Sequence, residues 1–309
     1  MRDAFIKELS LLAAEDPTVI LITGDLGFGV LTEFSKKFPD QYINAGVAEQ
    51  NMTAIACGLA LEGRKPYTYS IANFTTLRCL EQIRNDICYH DANVTAVSIG
   101  GGFSYGQLGV SHFATEDLAI LRALPNMMVV APTDPWEAAL LTRQMASRSG
   151  PKYLRLDKGS AGLPIDADSV TLGKARKVRE GTDCTLVATG AILYEALLAA
   201  DKLADAGIEV RILAIHTLKP FDVEAILEAS RETGGIIGIE EHNRIGGLSG
   251  AIAESCLEAG EAPAFFHRIG LNDEYPSIVG DQSFLRNSYG LDCFAIISAV
   301  QHSLRTRFS

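Results

Sequence analysis

The chain has 309 residues, of which 47% are hydrophobic and 21% charged, with 38 acidic side chains against 27 basic ones and a formal net charge of -11. At roughly 150 residues per domain this length corresponds to about two domains, and so much apolar mass excludes a disordered chain. The acidic balance argues against nucleic-acid binding, which needs a basic face to displace counterions.

The opening run MRDAFIKELSLLAAED is amphipathic and acidic, and it lacks the parts of a signal peptide. Val19–Thr23 reads as a buried strand, residues 49–63 as a helix with small apolar residues on one face, and 66–71 as a strand. A helix is predicted over 75–90, a strand over 94–99 running into a Gly-rich loop, and a helix over 115–124. A strand over 127–132, a helix opened by Pro135 and a strand over Lys152–Leu156 complete the first series. A polar stretch at 157–169 interrupts the pattern. A second series follows, with strands at 184–190, 209–215, 235–241 and 264–270 alternating with helices at 192–207, 221–230 and 246–260. Strands apolar throughout, alternating with helices, predict an α/β protein of two doubly wound domains, mostly parallel in their sheets. The division is placed at 1–169 and 170–309, the second domain being the smaller.

Cys57, Cys79, Cys88, Cys184, Cys256 and Cys293 are far apart and form no CxxC. They are read as buried small hydrophobes rather than a disulfide framework or zinc site, so no metal ligand is assigned in this chain. No run of about 18 apolar residues could span a bilayer. A cytoplasmic, reduced protein that binds neither nucleic acid nor membrane is expected. P-loop and HExxH motifs are missing. The glycines of IGGGFSYG do not have the spacing of a dinucleotide-binding loop.

One run is more specific. In NAGVAEQNMTAIACGLAL, Glu49 opens an otherwise small, apolar helix. Locally it reads as a first-turn acid favoured by the helix dipole. The run also resembles the pyrimidine-binding domain of thiamine-diphosphate enzymes, where Gly-Val-x-Glu carries the coenzyme-activating glutamate. HFATEDLAILRALPNMMVVAPTDPWEA and GPKYLRL resemble transketolase segments. HTLKPFD and EEHNRIGGLSGAIAE resemble the C-terminal domain shared by transketolases and 2-oxo-acid dehydrogenase beta chains. The fold implied is a thiamine-diphosphate-type pyrimidine-binding domain followed by a transketolase C-terminal domain.

The resemblance implies roles residue by residue. Glu49 would bond N1′ of the aminopyrimidine and His112 would sit near substrate hydroxyls, making these two the catalytic residues. Phe74 would stack on the pyrimidine, with Tyr69 lining the same pocket and Asp25 near the coenzyme. Arg155 matches an arginine that grips a sugar phosphate. Arg78 and Arg84 are read as a solvated helix face, and His242 and Arg244 as structural. Two positions depart from common transketolases. Leu108 stands where an aspartate reads a donor hydroxyl, and Gly100 where a histidine contacts phosphate. Ordinary ketose-phosphate specificity is therefore in doubt, since a leucine leaves a polar group there unpaired.

The domain that holds diphosphate and Mg²⁺, marked by Gly-Asp-Gly and a later Asn, has no match here. Gly24-Asp25-Leu26 and Gly280-Asp281-Gln282 do not fit. The resemblance therefore implies the C-terminal (beta) subunit of a split transketolase transferring a two-carbon ketol unit between sugars. Thiamine diphosphate would be shared with an N-terminal partner subunit, which would bind most of the Mg²⁺, in an α₂β₂ heterotetramer. The alternatives are a 2-oxo-acid dehydrogenase beta chain, a deoxyxylulose-phosphate-synthase-like enzyme and a non-catalytic binding subunit.

Overall fold

The computed structural model describes residues 1–307. Two sheets form its frame. The first contains β1 (Val19–Thr23), β2 (Tyr42–Asn44), β3 (Lys65–Ile71), β4 (Thr95–Ile99), β5 (Met128–Val130) and β6 (Lys152–Leu156). The second contains β7 (Arg176–Arg179), β8 (Cys184–Ala188), β9 (Val210–Ala214), β11 (Gly235–Asn243) and β12 (Phe265–Leu271). The short β10 (Thr217–Lys219) leaves the second half of the chain and pairs antiparallel with β5, giving the first sheet the order β10-β5-β6-β4-β3-β1-β2. The second sheet runs β12-β11-β8-β9-β7, parallel except at the β7 edge. Neither β10 nor β7 shows as an apolar run, because each is a short edge strand with charged residues.

Helices cover both faces of the first sheet, which is why its strands are apolar along their whole length. Strand alternation sorts the side chains. Tyr67 and Tyr69 point into the layer formed with Phe5 of helix Arg2–Glu15, while Ile20 and Ile22 of β1 face Met52 and Ala56 of helix Glu49–Leu61. All six cysteines are free and buried, as their apolar surroundings predict. Among the described residues no helix is long and apolar enough to cross a membrane.

The helix predicted over 75–90 is broken. It starts at Ala72, runs to Thr76, and resumes with an α-helical turn over Leu80–Gln82 that leads into a π-helical turn over Ile83–Cys88. Thr75 and Thr76 hydroxyls donate to the carbonyls of Ile71 and Ala72 (3.2 and 2.7 Å), a back-bonding that bends helices.

The halves are locked by buried charge. Arg155 Nη2 donates to the Glu241 carbonyl (3.0 Å), the Phe103 amide donates to the Glu241 carboxylate (2.5 Å), and Arg286 also binds that carboxylate. Glu240, which precedes Glu241, accepts from the Leu248 and Ser249 amides (2.7 and 2.8 Å) and so starts helix Leu248–Ala259. His242 Nε2 accepts from the Ala119 amide across the halves (3.3 Å).

Candidate active site at the carboxyl ends of the first sheet

Chain order places β2 and β4 on opposite sides of the β1–β3 pair. The loops leaving β1 and β3 therefore diverge and open a crevice, the position where such sheets hold ligands. Four of the residues singled out in the sequence lie on loops or helix starts around it.

Glu49 is the first residue of its helix and is 4% exposed. Its surroundings are pinned by Asn44 at the end of β2. The Asn44 side chain accepts from the amides of Asp25 and Gly46 (both 3.0 Å) and donates to the Asp25 carboxylate (2.9 Å). Asp25 itself sits in the left-handed region at φ 57°, a conformation that short polar Asp side chains tolerate. A Cβ on Gly24 would lie 3.4 Å from Glu49 Cγ, so a small residue at this point lets the carboxylate side chain come in.

A row of side chains extends from Glu49. Arg78 Nη1 donates to Glu49 Oε2 at 2.8 Å, and its guanidinium lies 4.3 Å over the Phe74 ring. Phe74 meets the His112 ring edge-on at 5.1 Å, and His112 is 6.4 Å from the Tyr105 ring. Lys158 Nζ lies 3.8 Å over Tyr105 at the far end. The Asn73 side chain donates to the Ser111 carbonyl (2.7 Å), tying the β3 loop to the loop of His112, and the Ser111 hydroxyl meets His112 Nδ1 at 3.0 Å. Phe28 and Val47, 84% and 76% exposed, lie on the loops of Asp25 and Glu49, and Leu108 and Val110 stand exposed on the loop of His112.

Two regions of the chain match known family models. "Transketolase, pyrimidine binding domain" matches residues 1–163, and "Transketolase, C-terminal domain" matches residues 173–296. The chain belongs to the transketolase family. It is 36% identical to an apulose-4-phosphate transketolase subunit of Phocaeicola vulgatus, across 94% of this chain and 93% of that one. It is 37% identical to the 6-deoxy-6-sulfo-D-fructose transketolase subunit SqwH of a Clostridium species, across 97% and 93%. A solved structure titled "Split gene transketolase, inactive beta4 tetramer" superposes with a TM-score of 0.88 at 36% identity, covering 98% of this chain and 97% of that one. The transketolase chain is thus the beta subunit of a split transketolase, a transferase, and this reading stands ahead of a 2-oxo-acid dehydrogenase beta chain.

Not every residue singled out in the sequence joins the row of this transketolase subunit. Tyr69 does not, because strand alternation turns it to the opposite face of the sheet, where it packs on Phe5, and burial pushes its hydroxyl pKa up. Arg155 does not either. It is 4% exposed, with Nε 3.7 Å from Asp117 and 3.6 Å from Asp157. Burial raises the Asp157 carboxyl pKa, against the opposing pull of Arg155. Arg78 is the reverse case. Reading it as a solvated face overlooked the helix break that swings it onto Glu49, and the two threonines before it were the available signal. Arg84, in contrast, donates to exposed Asn85 at 2.7 Å.

Proposed function

We propose that this chain supplies the pyrimidine-holding half of a thiamine-diphosphate site, and that the complex transfers a two-carbon ketol unit between sugars. In this reading an N-terminal partner chain holds the diphosphate and Mg²⁺ in an α₂β₂ assembly, and the chain divides at residues 169 and 170. The observation that carries it is the contact row from buried Glu49 through Phe74 to His112. The exposed apolar side chains Phe28, Val47, Leu108 and Val110 on the surrounding loops support a permanent partner, since such interfaces are more hydrophobic than transient ones.

The residues present fit a planar, proton-bearing ring. Arg78 supports this reading, because its flat guanidinium both donates to Glu49 and lies over Phe74. Thiamine diphosphate, when bound, supplies the carbon nucleophile and the electron sink that ketol transfer requires. Glu49 would hold a proton at the ring nitrogen N1′, and Phe74 would fix the plane of the ring. His112, half-buried and held by Ser111, would move a proton at a substrate hydroxyl. Asp25, held by Asn44, would lie near the coenzyme. Among the described residues no group of three or more His, Cys, Asp or Glu side chains is placed to hold a metal ion, so this reading assigns magnesium to the partner.

Titration calorimetry of thiamine diphosphate with Mg²⁺ tests the reading. Binding is expected with the partner chain present and not without it; tight binding to this chain alone would sink the split site. Glu49→Gln should leave the two chains assembled on gel filtration and lower turnover about 10²- to 10⁴-fold.

A further inference from the structure

His112 owes its place to the backbone of its loop. Its ring meets the Ser111 hydroxyl and the rings of Phe74 and Tyr105. The loop leaves β4 and closes on itself at a neck. There the Gly102 amide donates to the Ala114 carbonyl (2.9 Å), and the Ala114 amide donates to the Gly102 carbonyl (3.0 Å). Next to the neck the buried rings of Phe103 and Phe113 pack edge to face at 5.0 Å.

The neck is gripped from the second half of the chain. Glu241, on β11, is buried and lies 138 positions from Phe103. One oxygen of its carboxylate accepts from the Phe103 amide (2.5 Å) and from the Gln282 side chain (2.8 Å). The other accepts from Arg286 Nε. Arg286 is held in turn by Glu195 (3.5 Å), whose second oxygen accepts from the Cys293 amide (3.0 Å). Gly102 has φ +56°, and a Cβ there would stand 2.3 Å from Glu241 Oε1, so the missing side chain is what admits the carboxylate. The same half touches the loop again further out, where the Gly280 amide donates to the Gly106 carbonyl at 3.3 Å. An ion pair with Arg286 would satisfy one oxygen of Glu241. The other oxygen is spent on the loop, in a buried charge-assisted bond of the strong kind.

We propose that Glu241 is a positioning residue, through which the second domain fixes the Gly102–Ala114 neck and thereby the place of His112 over the crevice. The proposal rests on the transketolase reading, in which His112 moves a proton at a substrate hydroxyl. Glu241 itself touches no substrate. Proton transfer depends steeply on geometry, and a misplacement of about 1 Å costs about 10²-fold in rate.

The test uses the assembled two-chain enzyme with Glu241→Gln, His112→Asn and the double variant. A carboxamide offers one accepting oxygen where the carboxylate offers two, so Glu241→Gln interrupts the line from Arg286 to Phe103. It should lower kcat about tenfold or more and change KM less. In the His112→Asn background the same change should cost no more than about twofold, because its effect passes through His112. Equal losses in both backgrounds overturn the proposal. Hydrogen exchange of the same complexes is read by mass spectrometry. Residues 102–114 should exchange faster in Glu241→Gln while residues 49–61 do not. Unchanged exchange over 102–114, or faster exchange throughout the chain, also overturns it. If Glu241→Gln fails to assemble, Gln282→Ala, at a half-buried position, removes one bond from the same oxygen and should act in the same direction on both readouts. If the wild-type complex transfers no ketol unit from any sugar, the transketolase substrate reading fails, and exchange over 102–114 still decides whether Glu241 holds the loop.

Discussion

Glu49 is a nearly buried carboxylate matched by one cation, Arg78, whose side chain is 45% exposed. A pair with one partner so wet is worth little in water, about 0.5–1 kcal/mol. Urea unfolding of Glu49→Gln, Arg78→Ala and the double variant should show a coupling of that size. Strict additivity would mean that the contact does not hold in solution. Arg155 is different, because both it and its acidic partners are inside. Breaking such a pair strands a charge and costs about 3–5 kcal/mol. Arg155→Met should therefore lower the unfolding midpoint steeply. If the midpoint stays and KM for a charged sugar rises instead, Arg155 belongs with the substrate after all.

At the scale of elements, helix Glu49–Leu61 begins without a side-chain cap, and the acid in its first turn complements the helix dipole instead. Gly58 lies within it with no atom closer than 4 Å to the place of a Cβ. Gly58→Ala should raise the stability of the isolated chain by up to about 1 kcal/mol, the helix-propensity difference. A fall in the denaturation midpoint would contradict that open geometry. The neighbouring segment shows where sequence periodicity stops being sufficient. Residues 75–90 carry apolar spacing compatible with one helix. The back-bonding hydroxyls of Thr75 and Thr76 interrupt that helix, and the break places Arg78 against Glu49.

Across the whole molecule the two sheets meet through β10, and His216 stands at that crossing with its backbone carbonyl accepting from the Ala131 amide at 2.8 Å. The His216 side chain is fully buried, and burial, followed by the charge of Arg176, lowers its pKa to about 4. An unfolded histidine titrates near 6.5. Between roughly pH 6.5 and 4 the unfolded chain takes up a proton that the folded chain refuses, so stability present above that window is lost as pH falls through it. Thermal midpoints from pH 7.5 to 4.5 should fall, and His216→Asn should make the fall shallower. Parallel profiles for the variant and the wild type would remove His216 as the cause. The raised pKa of Asp157 works in the opposite direction on acidification, so the comparison between variant and wild type is the informative quantity.

By itself the sequence determined the alternation of apolar strands and helices, the free buried cysteines, the placing of Glu49 at a helix start and the family. Each of these depends on residues near one another in the chain, where periodicity and backbone preference act directly. Tertiary structure decided the rest. Arg78 and Glu49 are 29 positions apart, and Arg155 and Glu241 are 86. Whether such residues meet depends on strand order and on which face of a strand a side chain takes. One residue of register turns Tyr69 away from the crevice, and one missing Cβ at Gly100 lets Tyr105 lie where it carries Lys158. Pairing over such distances is set by the close packing of the whole molecule, which no local pattern encodes.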